Sequence, residues 1–309
     1  CHYVFPAATH NRFSHSLGAY HLARVLCEHL SDVQPGIISD EDAELVSIGA
    51  LLHDIGHPPF SHLLETDKVF ARFISHEDWG KMILESPDTD IGRVLRDILG
   101  EERTGRLFAL YSGKSEYNGV EIPPFLKEII SSQLDVDRMD YMIRDQANTG
   151  AQIGGFDSSR VIRALRVNDE GRLFAKKWGL PAIEAYLVTR YHMYNQVYFH
   201  KVNQLTQEYL IRALSRARSL AENGELELSK SLSNMLCNEE LSVRDYVKLT
   251  DADINSVLME WSDSDDEELS KYADKLVSRR DYHKSIRISD LTQEMSSVII
   301  DKIKPIIEK

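Results

Sequence analysis

The chain has 309 residues, 42% of them hydrophobic, and a formal net charge of −13, so it can bury a sizeable core but is poorly suited to gripping duplex nucleic acid by counterion release. A small anionic ligand needs only a few local cations and remains open. No apolar run approaches the roughly 18 residues that span a bilayer, no basic-then-apolar leader is present, and Cys1, Cys27 and Cys237 form no C-x-x-C pair, so the expectation is a cytoplasmic protein with no membrane partner, disulfide framework or thiolate zinc site.

Thr9-His10-Asn11-Arg12-Phe13-Ser14-His15 opens the first predicted helix, in which Tyr20, Ala23, Leu26 or Cys27, and Leu30 recur at helical spacing. Arg12 and His15 share a face once the helix has begun, so one could hold an anionic oxygen while the other binds a metal. Taken alone, an exposed arginine beside a half-buried histidine at an ordinary helix start is the simpler reading. After a loop over 31–42, the apolar run from Ala43 to Leu52 predicts a largely buried helix that Gly56 and Pro58-Pro59 end abruptly. His53 and Asp54 then sit on its last turn. Neighbours on a helix point about 100° apart, so they cannot chelate face to face, but both can lean toward one ion beyond the helix end. His57 and His62 follow in or past the Pro-Pro turn. Three histidines between positions 53 and 62 point to chemistry, because imidazole is the commonest metal ligand and proton carrier near neutrality.

Ser75-His76-Glu77-Asp78 opens another helix with acids in its first turn, where His76 could be a cap and no more. Residues 86–124 read as short helical pieces with a polar surface loop from Tyr111 to Gly119, and Pro123-Pro124 introduces a short amphipathic helix over Phe125–Ile130. Between Gln133 and Asp145, Arg138, Tyr141 and Asp145 share a helix face with Asp137 beside it: a solvated ion-paired helix, or the wall of a polar pocket. A turn at Gly154-Gly155 leads into a helix from Asp157 to about Leu165, with short strands expected near Leu165–Val167 and Leu173–Ala175. One long helical pattern runs from Pro181 to Ala221 and carries Arg190, Tyr194, Tyr198 and Lys201 on one stripe. That stripe is either an exposed face or a wall that stacks a base and grips phosphates. The expected organisation is a core over 1–221 and a smaller C-terminal subdomain over 222–309. The subdomain would hold three or more helices and a short strand near 286–288, and serve regulation or oligomerisation.

Together His15, His53-Asp54 and Asp137 form the H…HD…D pattern, which resembles that of the HD-domain metal phosphohydrolases. The longer segments Thr9–Gly18, His53–His62, Asp135–Tyr141 and Arg190–Lys201 are similar to those of the deoxynucleotide triphosphohydrolases, a group that includes the human SAM-and-HD-domain enzyme and, more similar still, bacterial dGTPases. The similarity extends over about residues 2–220 and, through Arg279-Arg280-Asp281-Tyr282, to the tail. It implies a mainly α HD fold in which His15, His53, Asp54 and Asp137 bind a divalent metal. The ligand types suit Mn, Fe, Ni, Co or Zn, with Mg as a further ion at the substrate phosphates. By the same resemblance Arg12 grips a phosphate, His57, His62 and His76 serve phosphate contact and proton transfer, and Asp67 partners His76. Tyr141, Asp145, Arg190, Tyr198 and Lys201 would contact sugar and phosphates, joined by Arg138 and Tyr194, which replace a lysine and a histidine of the human enzyme.

The implied reaction is hydrolysis of a dNTP to deoxynucleoside and triphosphate, in a dimer or tetramer gated by a nucleotide effector. An HD phosphohydrolase for another nucleotide and a non-catalytic nucleotide sensor are the rival readings; no metal ligand is lost, as a sensor would usually show. The chain opens at Cys1 in mid-pattern, so an upstream segment that supplies base contacts in the family is expected to lie outside it.

Overall fold

Asn11 starts helix α1 (Arg12–Val33) by accepting the Ser14 backbone N–H at 3.0 Å, and Ser39 does the same for α2 (Asp40–Leu52), whose first turn carries Asp40, Glu41 and Asp42 against the helix dipole. The computed structural model describes residues 1–66, 68–238, 240–283 and 298. Its first apolar core joins the small and aliphatic faces of these two helices, including Ala19, Ala23 and Leu26 against Val46 and Ala50. His53 keeps helical torsions as the C-cap of α2, and Asp54 falls in the turn just beyond it. Phe60 and Ser61 then both take left-handed torsions (φ 56° and 57°), uncommon for side chains of this kind, and lead into a single 3₁₀ turn over Ser61–Leu63.

Helix α3 (His76–Glu85) is capped by Ser75, which makes His76 its first helical residue rather than its cap. Where short pieces were expected, α4 (Asp90–Tyr111) is one long helix broken at Gly100, whose φ of 74° only glycine adopts readily. A small hairpin of β1 (Glu116–Tyr117) and β2 (Val120–Glu121) occupies the predicted polar loop. The chain continues through α5 (Pro124–Ile130), α6 (Val136–Thr149, capped by Asp135) and α7 (Ser158–Ala164). The strand pair expected from sequence follows as β3 (Leu165–Val167) against β4 (Leu173–Ala175), antiparallel with Arg166 opposite Phe174.

The long helical pattern from Pro181 to Ala221 is not one helix. It is α8 (Leu180–Met193), a π turn over Tyr194–Tyr198, and α9 (Lys201–Glu222). The widened turn closes with the Phe199 N–H on the Tyr194 carbonyl at 2.8 Å, and His200 then goes extended (φ −59°, ψ 130°) and caps α9 through its own ring. Lys201 therefore starts a new helix with its side chain exposed, off the stripe that holds Arg190, Tyr194 and Tyr198.

Four further helices complete the described chain: α10 (Lys230–Cys237), α11 (Val243–Tyr246), α12 (Asp251–Trp261) and α13 (Glu267–Ser278). They share an apolar core with α9 and with Leu64, Val69, Phe70, Trp79 and Ile83. Trp79 stacks on Tyr246 at 3.9 Å, and the Tyr246 hydroxyl donates to the Gly56 carbonyl at 2.6 Å. Asp251 accepts the Phe60 N–H at 2.8 Å, so C-terminal helices brace the turn that follows His53-Asp54. The strand expected near 286–288 lies outside the described residues, as does Asp67.

Candidate metal centre and cleft

The end of α2, the first turn of α1 and the first turn of α6 meet at one point. His15 Nε2 lies 3.3 Å from His53 Nε2, 3.5 Å from an Asp54 oxygen and 3.2 Å from Asp137 Oδ1. His53 Nε2 lies 3.4 Å from Asp54 Oδ1 and 3.4 Å from Asp137 Oδ1. Donors bonded tetrahedrally to one ion at about 2.0–2.1 Å stand about 3.3 Å from one another, so these five separations suit a shared ion: His15, His53 and Asp54 form one compact group, and Asp137 approaches both rings from beside it.

Each imidazole is also pinned at its other nitrogen. His15 Nδ1 lies 2.7 Å from Asp140 Oδ2, and His53 Nδ1 lies 2.8 Å from the Ala50 carbonyl, so both rings can donate there and turn Nε2 inward. Arg144 holds Asp140 with two bonds of 2.8 and 2.9 Å. Gly18 leaves the space that this pair fills, since a Cβ there would collide with the Asp140 carboxylate and the Arg144 guanidinium. The charge balance favours a cation. Burial by itself would lower the His15 imidazole, yet its bonds to Asp137 and Asp140 and the charge of Asp54 push it up to about 9. Asp137 moves the opposite way: burial would raise it, but the two histidines hold it well below the usual carboxylate range. The residues present thus fit a divalent metal in donor set, spacing and charge.

Next to the cage, Arg12 donates from Nε to Ser61 Oγ at 2.7 Å and pairs through Nη1 with Asp54. Three more imidazoles cluster here. The His57 ring stacks on His76 at 3.9 Å, and its Nε2 lies 3.4 Å from His62 Nε2. Burial lowers the His57 imidazole to about 3, with Asp54 opposing and Arg12 adding to the effect, so this ring is neutral at pH 7. Glu65 is the acid partner of the other two, at 2.9 Å from His62 Nδ1 and 2.6 Å from His76 Nδ1.

These groups form one side of a cavity of about 830 Å³, within the range of small-molecule sites. The opposite side comes from α6, α8 and the π turn. Tyr198 donates to Asp145 Oδ2 at 2.6 Å, and His10 Nε2 lies 2.6 Å from Asp145 Oδ1. Tyr141 and Tyr194 stand edge-on to Tyr198, and Arg190 lies over the Tyr194 ring at 5.6 Å. Arg138 lines the cavity from the first turn of α6, where its guanidinium is tied back to Asp135 and the Ser132 carbonyl. Every described site residue named from the sequence lines this cavity except Lys201, which the break before α9 carries off the wall. Asp140, Glu65 and His10 were not singled out. Asp137/Asp140 and His62/Glu65 each sit three apart and could have signalled the first two; nothing local marks His10.

Comparison with known proteins agrees with this geometry. The HD domain pattern matches residues 12–145 and the HD associated region matches residues 156–305. A phosphohydrolase from Bacteroides thetaiotaomicron superposes with a TM-score of 0.80 at 32% identity, over 98% of this chain and 74% of that one. A hypothetical protein from Aquifex aeolicus superposes with a TM-score of 0.73 at 31% identity, over 98% and 72%. Deoxynucleoside triphosphate triphosphohydrolase SAMHD1 of Homo sapiens is 29% identical over 97% of this chain, and uncharacterized protein YwfO of Bacillus subtilis 34% identical over 90%. The chain spans 51% and 61% of those two relatives' lengths. No described helix is long and apolar enough to cross a membrane. With an H…HD…D cage assembled from three separate segments inside a matching helical fold, the chain belongs to the HD-domain phosphohydrolases.

Proposed function

We propose that the protein hydrolyses a deoxynucleoside triphosphate to deoxynucleoside and triphosphate, with His15, His53, Asp54 and Asp137 holding the divalent metal. The observation that carries this reading is the cage of 3.2–3.5 Å separations facing, across one cavity, a wall of tyrosines, Asp145 and Arg190. Bound there, the ion supplies Lewis-acid polarisation of a phosphoryl oxygen and makes water a nucleophile near neutral pH. Water oxygen joins the α-phosphorus, the bond to O5′ breaks, and O5′ takes up a proton.

The chain's own residues do the rest. Arg12, fixed by Ser61, and Arg190 and Arg138 meet the negative charge of the triphosphate. Glu65, held down at about 2 by bonds from the His76 backbone and from both rings despite its burial, keeps a carboxylate on the Nδ1 atoms of His62 and His76. Their Nε2 atoms are left to carry the proton for O5′. Burial and the Asp145 carboxylate push the Tyr198 hydroxyl up, so it stays protonated and fixes Asp145 against the sugar hydroxyl. Tyr198 and Tyr141 then narrow the space beside the sugar and exclude a 2′-hydroxyl. Nucleotide gating and a dimer or tetramer belong to the same proposal, by similarity alone.

The test is product analysis with the Mn²⁺-loaded protein and each dNTP in turn. Deoxynucleoside and triphosphate are expected. Pyrophosphate with a monophosphate, or turnover of ribonucleotides or monophosphates alone, would replace this reading with another HD phosphohydrolase activity. Metal binding with no turnover of any nucleotide would favour a sensor.

A further inference from the structure

His57, His62, Glu65 and His76 place potential ligand atoms within 4.8 Å of one another, as a group apart from His15, His53 and Asp54. The His57 and His62 rings stand nearly perpendicular (82°), with their Nε2 atoms 3.4 Å apart. That is again close to the separation of about 3.3 Å between two nitrogens sharing one tetrahedral zinc. Glu65 accepts from Nδ1 of His62 and of His76, the carboxylate–histidine pairing that orients a ring toward a metal on its far nitrogen. His57 is oriented the same way, its Nδ1 lying 3.3 Å from the Asp54 carbonyl and 3.4 Å from Asp54 Oδ1. His76, stacked on His57, adds a third imidazole. The His62 side chain is 72% exposed, which gives an ion a way in and out.

We propose that His57 and His62, with His76 beside them and Glu65 behind, form a second cation site of the zinc class, adjacent to the first and occupied reversibly. Two imidazole nitrogens at this separation, with a third imidazole beside them, select a borderline-soft ion such as Zn²⁺ over Mg²⁺. An ion on these nitrogens takes the lone pairs that carry the proton for O5′, so filling the site switches turnover off; this consequence rests on the dNTP reading, whereas the binding does not.

The binding is tested by counting ions. Equilibrium dialysis of the full chain against Zn²⁺ should give two ions per chain in the wild type, one in His62→Ala and one in Asp137→Ala. Glu65→Gln should keep both ions but weaken one of them by about 10–100-fold. His62 is exposed, so its replacement leaves folding intact, and Co²⁺ absorption of the same variants gives an independent count. One ion in the wild type, or two retained in His62→Ala, overturns the proposal, whatever nucleotide the protein hydrolyses. Zn²⁺ titrated into Mn²⁺-loaded enzyme should abolish turnover as the second ion binds. Unchanged turnover with two ions bound would overturn the inhibitory role.

Discussion

His15 and Asp140 meet at 2.7 Å, Nδ1 to Oδ2, with Arg144 closing the far side of the same carboxylate. This contact decides which nitrogen of His15 faces the metal cage. An amide at position 140 would present that ring with a weaker, direction-dependent acceptor. Asp140→Asn should therefore weaken Mn²⁺ binding by about 10–100-fold in calorimetric titration, with the helical fold retained. Unchanged affinity would show that the ring is oriented by something else.

Gly18 tests the same contact from the other side. Alanine is favoured over glycine inside a helix by about 1 kcal/mol, so on propensity alone Gly18→Ala would stabilise α1. The added Cβ collides with Asp140 and Arg144, and the collision should dominate: weaker metal binding and no gain in Tm. A higher Tm with full affinity would mean that the Asp140–Arg144 pair can move aside without consequence.

Tyr198→Phe removes one of the two partners of Asp145 and leaves His10 as the other. With Asp145 less firmly placed, kcat/KM for dNTPs, on the proposed reading, should fall by about tenfold or more. Discrimination against ribonucleotides should shrink with it. A variant whose kcat/KM for both classes is that of the wild type would remove Tyr198 from the sugar site.

Glu65 gives the pH dependence. Its folded value is about 2 against an ordinary 4.5, so its bonds stabilise the fold fully above about pH 4.5 and are lost as pH falls from there toward 2. Glu65→Gln should be less stable than wild type at pH 6 by denaturant midpoint, and the difference should narrow as pH falls below 4.5. A gap that stays constant to pH 3 would contradict a charged Glu65 between His62 and His76.

Much of this was written in local sequence. The apolar run into His53-Asp54, the helix starts near Arg12 and His76, and the short strands at 165–167 and 173–175 follow from periodicity and turn chemistry within a few residues. The π turn did not, because Met193 and Tyr194 enter it with ordinary helical torsions, and the chain leaves them only at Phe199 and His200. Lys201 was placed on the wall for that reason. Tertiary pairings such as Tyr246 to Gly56, Asp251 to Phe60 and His10 to Asp145 join residues more than a hundred positions apart, and no spacing rule reaches them.

The most direct measurement is the anomalous scattering of Mn²⁺ in a crystal of the metal-loaded protein. A peak within about 2.0–2.3 Å of His15 Nε2, His53 Nε2, Asp54 and Asp137 is the expected result. A peak elsewhere, with those four side chains bonded only to one another, would contradict it.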